Sequence, residues 1–455
     1  MDTPQPQNLA LAPLLRRTYG PTDLLELRQY LDRAGTLTIQ PMASGLFSAA
    51  QTTEFSAGTN YHASWVRDNV HVAFAHFTNG QTAVATKAAI ALTKFFHTQQ
   101  QRFREIIATP SLKAEPQRRP HIRFDGGTLT ELPQTWSHAQ NDALGAYLWF
   151  YCTLALTGNV PASEWDIDTL ALFPRYFRAI EFWADQDSGH WEEVPKVEAS
   201  SIGIVVAGLR KLRELVRKAP DLTGEGWPYI FSTPIRGLIR DAIPEADLID
   251  LIHRGEDALA AILPAECVQP DPKKNRPYDA ALLFLIYPFG VVTGPMTDTI
   301  IAQTEAHLRG PVGIKRYLGD SFYCTDYESN MARQNDDPTR DFSQNIAGRD
   351  ALLQGGSEAE WCVFDPILSV IFGKRYQESH KPEDLRKQTE YLNRSLAQLT
   401  RDDPPRCKAM QCPELYYVEQ GKLQTSKSTP LLWTQANLWT ALEVMRQSVE
   451  LAPLN

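Results

Sequence analysis

Two adjacent carboxylates, Glu192 and Glu193, follow Trp191 in the stretch Gly-His-Trp-Glu-Glu-Val at 189–194, just ahead of Pro195. A pair of adjacent glutamates is usually a solvated surface feature. Here glycine, tryptophan and proline surround the pair and an apolar, helix-like run follows, which favours a shaped loop that carries an acid. An apolar neighbour such as Trp191 raises the pKa of a carboxylic acid, so this stretch predicts a group that can donate a proton.

A second stretch, Trp-Val-Arg-Asp-Asn at 65–69, places Arg67 and Asp68 close to Trp65. Arginine donates hydrogen bonds in a planar fork and aspartate accepts them from hydroxyls, so together they could hold a sugar. The alternative is the start of a helix, with Asp68 as its cap and Arg67 in an ion pair. The residues alone leave both interpretations open.

Two further loops combine aromatic and charged residues. In the first, Gly126-Gly127 marks a turn and Trp136 precedes Asp142, which is either a site residue or the cap of a helix. In the second, Arg316 stands beside Tyr317 as a candidate sugar contact, with a surface pair to Asp320 as the alternative.

The C-terminal stretch 412–420 supplies two more candidate carboxylates, Glu414 and Glu419, and Trp433 follows before the last apolar run. Cleavage of a glycosidic bond requires such a set. An inverting glycosidase needs one protonated acid at the leaving oxygen and one carboxylate that activates water, roughly 6.5–9.5 Å apart. Aromatic rings stack on sugars, and neutral sugars need no metal. We therefore expect no cofactor, and no zinc site at Cys407 and Cys412, which lack a nearby histidine.

Composition excludes several other classes of function. The chain has 455 residues, is 43% hydrophobic and carries a formal net charge of −9 without a basic stripe, so nucleic acid is not an expected partner. The first residues do not resemble a signal peptide, and the most apolar window, 280–292, is too short to span a bilayer. The six scattered cysteines form no disulfide framework, which favours reduced thiols and a cytoplasmic location.

The periodicity of apolar residues predicts a mostly helical chain, with long loops that hold the Trp, Arg, Asp and Glu residues. Residues 1–12 are expected to form a flexible tail and residues 13–455 a single domain. The predicted helices lie at 14–33, 71–101, 139–156, 170–185, 200–217, 258–263, 280–287, 358–372, 382–399 and 431–449. Short strands are expected at 122–124, 314–317 and 415–418.

Several of these motifs, in the same order along residues 14–450, resemble glycoside hydrolase family 15, the glucoamylases. They are most similar to the hydrolase-like domain of the phosphorylase kinase α and β subunits. The motifs are Trp-Val-Arg-Asp-Asn-Val (65–70), Trp-Glu (191–192) with Val-Glu-Ala-Ser-Ser-Ile-Gly (197–203), Glu-Ala-Glu-Trp (358–361) and Pro-Glu-Leu-Tyr-Tyr-Val (413–418). Glu193 favours an enzyme, because the kinase subunits tend to have arginine at this position.

The resemblance implies an all-α fold, the (α/α)6 barrel (six-hairpin toroid) of six inner and six outer helices, with the active site at one end. It implies Glu192 as the general acid and Glu193 near the substrate. Glu414 is favoured as the general base over the alternative Glu419, which could match the Glu-Gln motif of fungal glucoamylases. The residues implied around the terminal glucose are Arg67, Asp68, Trp65, Trp136, Trp191, Arg316 and Trp433.

The sequence therefore predicts an inverting, exo-acting hydrolase that releases glucose from α-glucans or malto-oligosaccharides. The alternative is a glucan-binding or regulatory protein related to the kinase subunits, in which turnover is weak or lost and a protein partner is possible. Glucan binding without hydrolysis would favour this alternative.

Overall fold

The computed structural model describes residues 4–51, 60–160, 164–218, 239–333, 346–353, 355–404 and 406–452. Helices dominate the described residues. In chain order the α-helices are α1 (Pro21–Arg33), α2 (Val66–Thr78), α3 (Thr82–Thr98), α4 (Gln100–Ala108), α5 (Asn141–Leu156), α6 (Glu164–Ile180), α7 (Ala199–Lys218), α8 (Glu245–Ile262), α9 (Leu282–Ile286), α10 (Pro295–Gln303), α11 (Tyr327–Arg333), α12 (Ile346–Leu353), α13 (Phe364–Ser379), α14 (Pro382–Ala397) and α15 (Leu432–Leu451).

Six of these helices form a closed inner ring, in which each helix packs against the next in the order α2, α5, α7, α9, α13, α15 and back to α2. The helices α1, α3, α6, α8, α10 and α14 lie outside this ring and pack against its members. Inner and outer helices alternate along the chain. The predicted (α/α)6 barrel is therefore confirmed.

Burial explains which helices lie inside. Helix α5 is apolar on all sides, and Asn141 and Asp142, at its polar N-terminal end, are buried as well. Helix α14 has one buried face, whereas Glu383 and Arg386 face solvent. Close contact between inner helices depends on glycine. A Cβ on Gly145 would lie 2.7 Å from the Ile204 backbone of α7, so α5 and α7 could not approach so closely with any larger residue.

Two small antiparallel sheets lie in the loops before the inner helices. One has the order β1 (Ser64–Trp65), β2 (Arg123–Asp125), β3 (Thr130–Glu131), and the other β4 (Glu360–Trp361), β5 (Leu415–Glu419), β6 (Lys422–Thr425). In the first sheet Trp65 pairs with Arg123, and in the second Trp361 pairs with Leu415. Because each sheet joins distant loops, residues far apart in sequence meet above the N-terminal ends of the inner helices.

The structure differs from the sequence predictions in several places. Residues 314–317 form isolated bridges rather than a strand, and the segment predicted at 258–263 is the end of the longer helix α8. Helices α10, α11 and α12 were not predicted. The expected tail is not loose in its described part, because the Gln7 amide donates to the Ala397 carbonyl and Leu11 is fully buried in the 3-10 helix Leu9–Leu14. The single domain at 13–455 stays a prediction.

Candidate active site

Glu192 lies at the tip of a loop that is closed by a bridge between Asp187 and Lys196. It adopts a φ of +58°, an unusual conformation for a residue other than glycine. Its Oε1 accepts a hydrogen bond of 2.7 Å from the Trp65 indole nitrogen and lies 3.6 Å from Nη2 of Arg67. The side chain remains 18% exposed. Burial raises the pKa of Glu192 although Arg67 opposes the shift, so the carboxyl has the character of a proton donor.

Glu193 points into a different environment. Its carboxylate accepts hydrogen bonds of 3.0 Å from both Arg276 and Arg349, a longer one of 3.4 Å from Arg316 and another from the Tyr317 hydroxyl. Burial alone would raise the pKa of Glu193, but the three guanidinium groups hold it well below its ordinary value. Its oxygens are engaged by protein donors, so the substrate contact predicted for Glu193 stays a prediction.

Glu414, at the start of strand β5, is buried and accepts hydrogen bonds from the Tyr61 hydroxyl (2.8 Å) and the Ser426 hydroxyl (2.9 Å). Burial raises the pKa of Glu414 to about 7, although both hydroxyls favour the ionised form. The charges of Glu414 and Glu192 both raise the pKa of the Tyr61 hydroxyl, so this hydroxyl interacts electrostatically with both carboxylates.

Glu419, the alternative base, has a structural environment. Its two oxygens accept hydrogen bonds of 3.0 Å from the backbone amides of Glu328 and Ser329, and Ser329 also donates from its hydroxyl. The carboxylate therefore caps the first turn of helix α11. Of the two predicted carboxylates, only Glu414 is linked to Glu192 through Tyr61.

Arg67 and Asp68 both belong to the first turn of α2, so a helix does begin here, but its N-cap is Trp65 and not Asp68. Nη1 of Arg67 donates to Asp142 (2.9 Å) and to Gln140 (3.0 Å), which fixes the guanidinium at the start of α5. Burial raises the pKa of Asp68 to about 6, and the negative charge of Glu192 contributes in the same direction. Charges on Arg67, Asp68 and Glu192 therefore influence one another at the mouth of the barrel.

Four tryptophans predicted at the site surround this charged group. Trp65 and Trp136 meet edge to face at 5.7 Å, and Trp433 stacks on His71 at 4.6 Å with the Arg67 guanidinium 5.9 Å from its ring. Trp191 donates from its indole nitrogen to Asp279 at 3.0 Å. Among the described residues, the buried indole nitrogens of Trp136 and Trp433 have no hydrogen-bond partner. Such orphaned donors are typical of a site that binds a polar ligand.

Arg316 does not form the surface pair that was considered. It is buried, donates to both oxygens of Asp320 at 2.6 and 2.7 Å, and its guanidinium lies 5.1 Å from the Trp191 ring and 4.7 Å from the Trp361 ring. The structure thus places a fixed cation against the aromatic wall beside Glu192.

Sequence reasoning missed several residues of this region. Nothing in the sequence marked Tyr61 as the partner of Glu414. Arg276 and Arg349 come from unremarkable stretches, and only the fold brings them to Glu193. Trp361 was recognised as part of a motif, but its place beside Arg316 was not predicted.

Comparisons with known proteins agree with this fold. The family model described as "Glycosyl hydrolases family 15" matches residues 26–454, and the chain belongs to this family. The prediction of a glycoside hydrolase is therefore confirmed at this level. The similarity to the phosphorylase kinase subunits stays a prediction.

Two solved structures and one curated protein illustrate the similarity. A glycosidase variant in complex with glucose has a TM-score of 0.64 and 17% identity, covering 95% of this chain and 98% of that one. The glucoamylase from Saccharomycopsis fibuligera has a TM-score of 0.58 and 12% identity, covering 96% and 97%. The uncharacterized lipoprotein YgeQ of Escherichia coli is 28% identical over 194 residues, which is 38% of this chain and 74% of that protein.

In the part of the chain that the structure describes, no helix has the length and apolar character required to cross a bilayer. The cytoplasmic location stays a prediction.

Proposed function

We propose that this protein is an inverting, exo-acting hydrolase that releases glucose from α-1,4-linked glucans or malto-oligosaccharides. One observation carries the proposal: Tyr61 donates a hydrogen bond to Glu414 and interacts electrostatically with Glu192, and burial raises the pKa of both carboxyl groups. An inverting mechanism needs two such groups, one to protonate the leaving oxygen and one to activate water on the opposite face of the sugar.

Glu192 acts as the general acid. Burial raises its pKa, which favours the protonated form that an acid needs, and its remaining exposure lets it reach the glycosidic oxygen. When the proton leaves, the Trp65 indole and Arg67 stabilise the carboxylate that forms. The acid is therefore held in one orientation throughout the reaction.

Glu414 acts as the general base. It removes a proton from the attacking water while Tyr61 and Ser426 hold its carboxylate in place. A pKa of about 7 makes this carboxylate basic enough to accept that proton near neutral pH. Glu419, which caps a helix, has no comparable freedom to contact water.

Binding of a terminal glucose follows from the first turn of α2. Arg67 is fixed by Asp142 and Gln140, and Asp68 offers a buried carboxylate to sugar hydroxyls. Phe284 packs against both His71 and Trp433, which places aromatic rings beside Arg67. Exo action is proposed from the resemblance to the glucoamylases.

The test is the anomeric configuration of glucose released from maltotriose, followed by proton NMR during the first minutes of turnover. The proposal expects β-glucose first. Initial α-glucose would contradict inversion, and formation of maltotriose without glucose from maltohexaose would contradict exo action. Glucan binding by the folded protein without any hydrolysis would favour the regulatory alternative, in which a protein partner is possible.

A further inference from the structure

The buried cation Arg123 is not among the residues predicted for the site, and the proposed mechanism does not use it. It lies on strand β2 and is the cross-strand partner of Trp65 on β1. Its side chain is only 2% exposed, which is rare for arginine. A charged group so deeply buried must be stabilised by its surroundings, and two indole rings are among the groups that surround this one.

The Arg123 guanidinium contacts two indole rings at once. Its central carbon lies 4.1 Å from the ring of Trp136 and 5.0 Å from that of Trp65. These two rings meet at an interplanar angle of 75°, so the cation is held against both members of an edge-to-face pair. Cation–π contacts are stronger away from water, so these two contacts favour one orientation of both rings.

The orientation of Trp65 matters because its indole nitrogen donates the 2.7 Å hydrogen bond to Glu192. A cation against the ring also polarises the indole and strengthens its N–H as a donor. Arg123 is thus connected to the acid through a single side chain.

We propose that Arg123 is a positioning residue for the general acid, acting through Trp65 to hold and tune the Glu192 carboxyl. This inference rests on the proposed function. The positive charge of Arg123 also lowers the pKa of Glu192, in the same direction as the hydrogen bond from Trp65. The other titratable or charged groups that face Glu192 from the surrounding elements are Arg67, Asp68 and Tyr61.

The experiment compares Arg123→Met, which removes the charge, with Arg123→Lys, which keeps the charge but loses the planar stack. Each variant is assayed on maltose and on α-glucosyl fluoride, whose fluoride leaves without help from an acid. For Arg123→Met we expect kcat on maltose to fall about tenfold, because acid catalysis contributes roughly 10²–10⁴ and only part of it is lost. We expect kcat on the fluoride to stay within about twofold, and KM for maltose likewise.

The pH profile gives an independent readout. Activity on maltose falls at high pH as the acid loses its proton, and loss of Arg123 raises the pKa of Glu192. The basic limb should therefore move upward by about half a pH unit in Arg123→Met and stay in place in Arg123→Lys.

Equal losses on both substrates with an unmoved basic limb would show that Arg123 is merely structural and would overturn the inference. If Arg123→Met does not fold, Arg123→Lys decides, because a selective loss on maltose supports the inference and an equal loss on both substrates overturns it. A wild-type protein inactive on both substrates would instead refute the proposed function.

Discussion

Glu192 and Glu193 are neighbours in the chain, yet their carboxyl groups lie in opposite electrostatic environments. Glu192 faces the Trp65 indole and one guanidinium at 3.6 Å, and its pKa is raised by burial. Glu193 is surrounded by three arginines that hold its pKa far down. The positive φ of Glu192 turns the backbone so that the two side chains diverge. One glutamate is thereby available for proton transfer, while its neighbour is a fixed anion.

Glu192→Gln should lower kcat on maltose by about a hundredfold to ten-thousandfold, because an amide cannot protonate the leaving oxygen. The same variant should keep most of its activity on α-glucosyl fluoride, which needs no acid. Glu414→Gln should lose activity on both substrates, because water activation is required in each case. Initial rates on the two substrates give the comparison.

Glu383→Gln is the matched control for both variants, since Glu383 is an exposed residue of α14 that pairs with Arg386. It should leave both rates unchanged. Full activity of Glu192→Gln on maltose would refute its role as the acid, and full activity of Glu414→Gln on the fluoride would refute its role as the base.

The fall in kcat/KM on the acid side of the pH profile should reflect protonation of Glu414. As pH falls below about 7 the base becomes protonated, and kcat/KM should fall with it. Tyr61 donates to this carboxylate and lowers its pKa, so Tyr61→Phe should raise the pKa of Glu414 and move the acid limb upward by about one pH unit. Tyr30→Phe, on the outer helix α1, should leave the limb in place. A limb that does not move in Tyr61→Phe would argue against Glu414 as the base.

Local sequence patterns were sufficient for much of the fold and for part of the site. The apolar run of α5 and the motif at 65–69 each have a local signature, and both lie where the sequence suggested. Local sequence patterns could not decide whether Glu414 or Glu419 is the general base. Both are carboxylates next to the same strand, and only the fold shows that one faces Tyr61 and the other caps α11.

The three arginines around Glu193 were also beyond sequence reasoning. Arg276 and Arg316 come from loops and Arg349 from helix α12, which the fold brings together, and such contacts leave no periodic signal. The contact between Trp65 and Arg123 was not predictable either. The two residues pair across strands β1 and β2, and helices α2 to α4 lie between them in the chain.

The stability of the fold should depend strongly on Glu193. Glu193→Gln removes the buried negative charge that the three guanidinium groups share and leaves each of them with only an aspartate partner, which should lower the free energy of unfolding by up to roughly 3–5 kcal/mol. Thermal and urea unfolding followed by circular dichroism give the measurement. Asp350→Asn is the control, because Asp350 pairs with Arg349 but is 54% exposed, and it should cost less than about 1 kcal/mol.

Glu193 also predicts how stability changes with pH. Its folded-state pKa is depressed, so its contribution is fully present above the unfolded value of about 4.3 and is lost as pH falls through the folded value. The stability difference between wild type and Glu193→Gln should therefore be largest near neutral pH and shrink in acid. A difference that is constant from neutral pH into strong acid would contradict the assignment of Glu193 as a buried anion.

Helix packing in the inner ring should depend on Gly145 more than on an exposed glycine. In Gly145→Ala the new methyl group would lie 2.7 Å from backbone atoms of Ile204, which cannot rotate away, so α5 and α7 must separate. Overpacking of this kind costs about 1–3 kcal/mol of unfolding free energy. Gly127→Ala is the control, since its methyl group would meet only the Asp125 side chain at 3.3 Å in an exposed turn. Equal unfolding midpoints for the two variants in urea would show that the inner helices tolerate wider spacing than the structure implies.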